Sequence, residues 1–122
     1  MITEDYVSFE IAKLLKEKGF DEGCSFIVNT ISKGVMPVSW PTTNSDIEDA
    51  KACLIALPTL QMVMKWLREE HRIFLNVSYI PEHCAFTYRV ISPSGETKFV
   101  TYVDTYEQAC EAAIKYCLEN LI

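Results

Sequence analysis

The sequence predicts an α+β fold: an antiparallel sheet of three or more strands with about three helices mainly on one face. Three observations carry that reading. Residues 72–103 hold three successive runs of period-two alternation joined by short turns. Apolar residues recur at helical spacing over 59–71 and again over 105–121. The chain has 122 residues and is 49 % hydrophobic, enough for one domain over 1–122 to bury a core without a disulfide or metal staple.

The first element is a helix over about residues 8–18. Ser8 is placed to cap its first turn, and Val7, Ile11, Leu14 and Leu15 form its apolar stripe. Gly19 fits the left-handed position after the last turn, with Phe20 able to fold back on Leu15. CSFIVN and VMPVSW, within 24–40, then read as short extended runs with TISKG turning between them. Pro37 cannot donate a ladder hydrogen bond, so the second run is predicted to lie at an edge or in an extended loop. Within 41–58, PTTNSD is loop chemistry. Ser45 and Glu48 match a capping box that would open a short helix through KACLIAL.

The remainder, 59–121, reads as an α-β-β-β-α unit. In its first helix Thr59 is the expected N-cap, and Leu60, Val63, Met64 and Leu67 recur at i, i+3, i+4 and i+7, widened by Met62 and Trp66. RIFLNVSYI, CAFTYRVI and TKFVTYV are the strands, linked by IPEH and SPSGE. Strict succession with short turns predicts an antiparallel meander buried mainly on one face. The closing helix carries two overlapping capping signals, Asp104 with Glu107 and Thr105 with Gln108. Tyr106, Cys110, Ala113, Cys117 and Leu121 line one side of it. Cys110 and Cys117 are about 10 Å apart along the axis at ~1.5 Å per residue, too far for a disulfide, and are read as small core hydrophobes.

Charge narrows the function. The net charge is −6, with 11 basic residues against 17 acidic ones and no basic run, so a nucleic acid is a poor default partner and an anionic membrane surface is disfavoured. No stretch approaches the roughly 18 apolar residues of a membrane span. MITEDYVSFEIAKLL lacks the features of a secretory signal, and five cysteines are an odd number, so a reducing cytoplasm is the expected location.

Chemistry-bearing motifs are scarce. Glycines at 19, 23, 34 and 95 build no phosphate loop, and cysteines at 24, 53, 84, 110 and 117 contain no Cys-x-x-Cys pair. His83 and Cys84 would point to opposite faces if both were extended, and His71 is a poor third member. Asp46, Glu48 and Asp49 resemble the start of a calcium loop, but Lys51 stands where a glycine is needed. No catalytic residue, cofactor or metal site is predicted; a small enzyme using Cys84 or Cys24 is the weakest reading. The candidate interaction surface is Trp40 together with Phe74, Arg89, Lys98 and Tyr102. The last four fall, with Asn76 and Thr87, on the sheet face opposite Ile73, Leu75, Phe86 and Tyr88. A Trp beside Pro41 is either a core anchor or an interface hot spot. The sheet face is either covered by another segment, such as 24–40, or open to stack bases or grip a peptide.

Two resemblances follow from these blocks. The helix–strand–strand–strand–helix order of 59–121 is similar to the double-stranded-RNA-binding domain, and EQACEAAIKYCLENL looks like its closing helix. DTYEQACEA has acids where that family opens its last helix with a lysine clamp. VSFEIAKLLKEKGFDE, PTLQMVMKWLREEH and DTYEQACEAAIKYCLENLI together resemble a group of small uncharacterised proteins of gut Bacteroidetes and their phages. That likeness implies a compact α+β protein, carries no activity, and makes the chain phage-related by expectation. The expected function is a non-enzymatic cytoplasmic binding or protein-interaction module, acting on a protein partner or on itself. The alternative is nucleic-acid binding through the mixed aromatic and basic sheet face.

Overall fold

Ser8 begins the first helix in the computed structural model, which describes residues 2–47, 53–98 and 101–122. The chain is α+β, and its described residues hold four α-helices and two three-stranded antiparallel sheets. These fall into two compact units, Met1–Thr59 and Leu60–Ile122.

In the first unit, α1 spans Phe9–Glu17, and the Ser8 hydroxyl accepts a hydrogen bond from the Ile11 N–H at 3.3 Å. That satisfies one of the amides a helix start leaves without a partner. Ile11, Ala12 and Leu15 form the buried stripe. Gly19 takes φ +86°, the Phe20 N–H donates to the Leu15 carbonyl at 2.9 Å, and the Gly19 N–H donates to that of Lys16 at 3.2 Å. This is the Schellman ending the sequence implied, and it delivers Phe20 into the core.

The sheet of this unit has β1 (Cys24–Asn29) between β2 (Val35–Thr42) and β3 (Leu54–Leu57). The β1–β2 turn is held by the Asn29 side chain, which accepts from the Ile31 and Ser32 N–H groups at 2.8 and 3.0 Å. β2 is an edge strand, as Pro37 required. The helix expected to run through KACLIAL is corrected at its end: Leu54–Leu57 is a strand, paired with β1 from Phe26↔Leu57 to Asn29↔Leu54. A four-residue apolar run carries no period that separates strand from helix, and here a distant partner decides. Residues 48–52, which hold the rest of that expected helix and most of the calcium-like run, lie outside the described residues.

The short helix α2 is Asn44–Ile47, and its cap also differs from expectation. Thr43 and Asp46 form the reciprocal pair: the Thr43 N–H donates to Asp46 Oδ2 at 2.9 Å, and the Asp46 N–H to Thr43 Oγ1 at 3.1 Å. Ser45 turns instead to Asp21, donating its N–H at 2.7 Å and its hydroxyl at 2.6 Å. Asn44 is buried, and both ends of its amide are engaged. Its Nδ2 donates to the Phe20 carbonyl at 2.8 Å, and its Oδ1 accepts from the Ala56 N–H at 2.9 Å, joining the end of α1 to β3.

The second unit runs α3 (Leu60–His71), β4 (Phe74–Ile80), β5 (Ala85–Ser92), β6 (Gly95–Lys98) and α4 (Tyr106–Asn120), with the strands in the order β4-β5-β6. A single 3₁₀ turn, Pro81–His83, links β4 to β5. Leu75↔Val90, Val77↔Tyr88 and Tyr79↔Phe86 are cross-strand partners on one face, and α4 packs on both strands. The third strand is shorter than the 97–103 run: β6 ends at Lys98, and Val103 returns alone to bridge Phe86. Phe99 and Val100 lie outside the described residues.

α4 resolves its two capping signals in favour of the second. Thr105 Oγ1 accepts from the Gln108 N–H at 3.1 Å, and Gln108 Oε1 accepts from the Thr105 N–H at 3.2 Å. Cys110, Ala113, Ile114, Cys117 and Leu118 are completely buried. Burying a leucine such as Leu118 contributes about 1.5–3 kcal/mol, which is why this helix covers the sheet.

Candidate interaction surfaces

Trp40 owes its position to a misfit between β1 and β2. The strands pair from Val28↔Val35 to Phe26↔Pro37 and again at Cys24↔Thr42. Across that gap β1 passes only Ser25, whereas β2 passes the four residues Val38–Pro41. The surplus chain bulges from the ladder. Gly23 makes room for it, since a Cβ there would lie 2.7 Å from Pro41 Cβ. The Thr42 hydroxyl donates to the Trp40 carbonyl at 3.0 Å and holds the excursion closed. Trp40 is 73 % exposed, with Val35, Met36 and Ile31 also exposed nearby in sequence. Of the two sequence readings, core anchor is excluded.

β2 contains no charged residue. Its open edge is nevertheless blunted. The Asn29 N–H donates to the Gly34 carbonyl at 2.9 Å, so hydrogen-bonded pairs alternate back to Ile27 with Met36. Pro37 then occupies a position whose N–H would have pointed outward, and it has none. A partner therefore meets side chains here more readily than backbone.

The other four predicted residues belong to the second unit, and only some come together. Phe74, half exposed, pairs with Ile91 at one end of the ladder, on the same face as Arg89. Lys98 is the register partner of Arg89. Arg89 Nη1 lies 3.2 Å from Glu96 Oε1, so its charge is partly neutralised within the sheet. Tyr102 is elsewhere, with its ring 4.6 Å from that of His83 beside the β4–β5 turn. β1 and β2 pair with β3 rather than extending this sheet.

Sequence reading missed a second aromatic group. Tyr79 pairs with Phe86 on the same face as Leu75 and Val77, yet it is 52 % exposed, near the end of β4. Its ring centroid is 5.0 Å from that of Phe86, which in turn lies 6.2 Å from Tyr106 at 82°. The signal available beforehand was the position of Tyr79 at the end of its run, next to IPEH.

The reactive side chains are occupied structurally. Cys84 is not in the strand; it caps the 3₁₀ turn at φ +47°, and its thiol donates to the Pro81 carbonyl at 3.7 Å. His71 packs edge-on against Trp66 at 4.7 Å. Burial pushes the Cys24 thiol up to about 11, with Glu22 adding to the shift, and the Cys117 thiol up to about 12. A shallow notch of about 200 Å³ is lined by Lys16, Gly19, Phe20, Asp21, Asn44 and Ser45. Hydrogen bonds from the Ser45 hydroxyl and N–H hold the Asp21 carboxyl below its usual range. Among the described residues, no group of three His, Cys, Asp or Glu could hold a metal ion, and no helix is long and apolar enough to cross a membrane. Comparison with protein-family models, with curated proteins and with solved structures gave no match.

Proposed function

We propose that this chain is a non-enzymatic protein-interaction module of the cytoplasm, docking a protein partner or a second copy of itself through the outer edge of the β2-β1-β3 sheet, with Trp40 as the anchor. One observation carries the reading: a tryptophan 73 % exposed on an excursion built by Gly23, Pro41 and Thr42, along a strand without a charge. Large aromatics supply most of the energy of protein interfaces, and a fixed backbone lowers the ordering cost of binding. The nucleic-acid alternative has less behind it, because Arg89 is engaged with Glu96.

Light scattering over a concentration series, for the native chain and Trp40→Ala, tests self-association. Concentration-dependent association that Trp40→Ala abolishes supports it; a monomer at every concentration removes that part. Trp66→Phe leaves Trp40 as the only tryptophan, so its emission reports docking of a partner. Emission that never moves, together with photo-crosslinking from position 40 that captures nothing, defeats the proposal.

A further inference from the structure

We infer that β4 is a self-association edge: two copies of the chain pair their Phe74–Ile80 strands antiparallel about a two-fold axis at Val77, joining their β4-β5-β6 sheets into one continuous sheet. This surface is separate from the Trp40 edge and stands without it. Backbone direction is the first observation. Phe86 exchanges both of its backbone hydrogen bonds with Val103, at 2.8 and 2.9 Å, and its partner on the other side is Tyr79. Backbone groups alternate between the two sides of an antiparallel strand. Phe86 and Tyr79 are thus a pair without mutual hydrogen bonds, as are Tyr88 with Val77 and Val90 with Leu75. Leu75, Val77 and Tyr79 therefore aim their N–H and C=O groups away from β5. In the order β4-β5-β6 that side is open, and the described residues give these groups no hydrogen-bond partner.

The other edges are guarded. β2 carries Pro37, β3 has its Ala56 N–H taken by Asn44, and β6 is only four residues long. β4 runs for seven residues, FLNVSYI, with no charge and no proline, in unbroken register with β5. None of the seven is buried. Phe74 is 50 % and Tyr79 52 % exposed, and Leu75 and Val77 are only partly covered although their partners Val90 and Tyr88 are buried. An open strand of this kind templates pairing with another chain. The strand also fits itself. About a two-fold at Val77, Leu75 exchanges hydrogen bonds with Tyr79 of the second copy, Val77 with Val77, and Tyr79 with Leu75, so every outward group is satisfied. A slip of two residues leaves Leu75 or Tyr79 without a partner in the strand. On the other face Phe74 falls opposite Ile80, apolar on apolar, and Asn76 opposite Ser78. The charged residues flanking the strand, Arg72 and Glu82, come level with each other at both ends, opposite in sign.

The test is sedimentation together with amide exchange by NMR over a concentration series. The native chain should dimerise. The amides of Leu75, Val77 and Tyr79 should gain about tenfold or more in protection with concentration, while those of Asn76 and Ser78, already bonded to β5, hold constant. Asn76→Glu with Ser78→Glu sets like charges opposite each other twice and should weaken the dimer about tenfold. Asn76→Glu with Ser78→Lys sets opposite charges there and should restore it. Neither residue is buried, so both variants keep the fold. Trp40→Ala should leave the dimer unchanged. A chain that stays monomeric at millimolar concentration, protection that does not follow the alternation, or failure of the glutamate–lysine pair to restore association overturns the inference. Association lost on Trp40→Ala, with the outward β4 amides exchanging freely throughout, assigns self-pairing to the Trp40 edge and overturns it as well.

Discussion

Gly23 and Pro41 touch through a space that only glycine leaves: a Cβ on residue 23 would stand 2.7 Å from the Pro41 Cβ. The obstacle is a proline ring carbon close to the backbone, which cannot swing away as a flexible side chain would. Gly23→Ala should therefore destabilise the fold by about 1–3 kcal/mol, the usual cost of overpacking. It should also displace the excursion that carries Trp40. Thermal melts read the first effect, and Trp40 emission in the Trp66→Phe background reads the second. An unchanged melting temperature would show that β2 yields freely there.

Asn44 is expected to be the most sensitive polar residue of the first unit. Replacing it with Ala leaves the Phe20 carbonyl and the Ala56 N–H without their side-chain partner. Each buried group left unsatisfied costs about 1–3 kcal/mol. Denaturant unfolding of Asn44→Ala should show a loss of about 2–4 kcal/mol, against a small change for Ser45→Ala, whose contacts to Asp21 are exposed.

Pro37 guards the edge of β2. Pro37→Thr restores an outward N–H in the middle of a charge-free strand. The expected result is faster strand-type aggregation, seen as rising light scattering and thioflavin binding. Adding Lys at Ser39 in the same variant should suppress it.

The thiols predict both reactivity and pH dependence. With a chromogenic disulfide near pH 8, exposed Cys84 should react first, while Cys24 and Cys117 should wait for unfolding. Burial raises their folded pKa values to about 11 and about 12, above the 9.0 of a thiol in the unfolded chain. Above pH 9 the unfolded chain releases these protons while the folded chain keeps them. Stability is thus fully present below about pH 9 and falls as pH climbs toward 11 and 12. Cys117→Ala should flatten that decline, which urea titrations at pH 8 and 10 would measure.

Features fixed by a few neighbouring residues were readable in advance. Ser8, Gly19 and Phe20 gave both ends of α1, since caps are local chemistry. Pro37 placed β2 at an edge, since a missing donor excludes the centre of a sheet. Cys110 and Cys117 were assigned to the interior by helical spacing alone. What depended on distant chain was not readable. Leu54–Leu57 became a strand because β1 lies alongside it, and Ser45 left its expected capping role because Asp21 was within reach. The candidate surface was legible only in part. The composition around Trp40 left core and surface both open, and Tyr79 follows the inward alternation yet ends outside, near the end of its strand.

The ladder between β1 and β2 is fastened on both sides of residues 38–41, at Phe26↔Pro37 and at Cys24↔Thr42. What lies between those fastenings contributes nothing to the register of the sheet. Substitutions at its exposed positions Ser39 and Trp40 can accumulate with little adjustment elsewhere, while Pro41 stays packed against Gly23. The protein thereby keeps a constant frame while the patch it shows to the outside is free to diverge, which is how a small scaffold can acquire new partners.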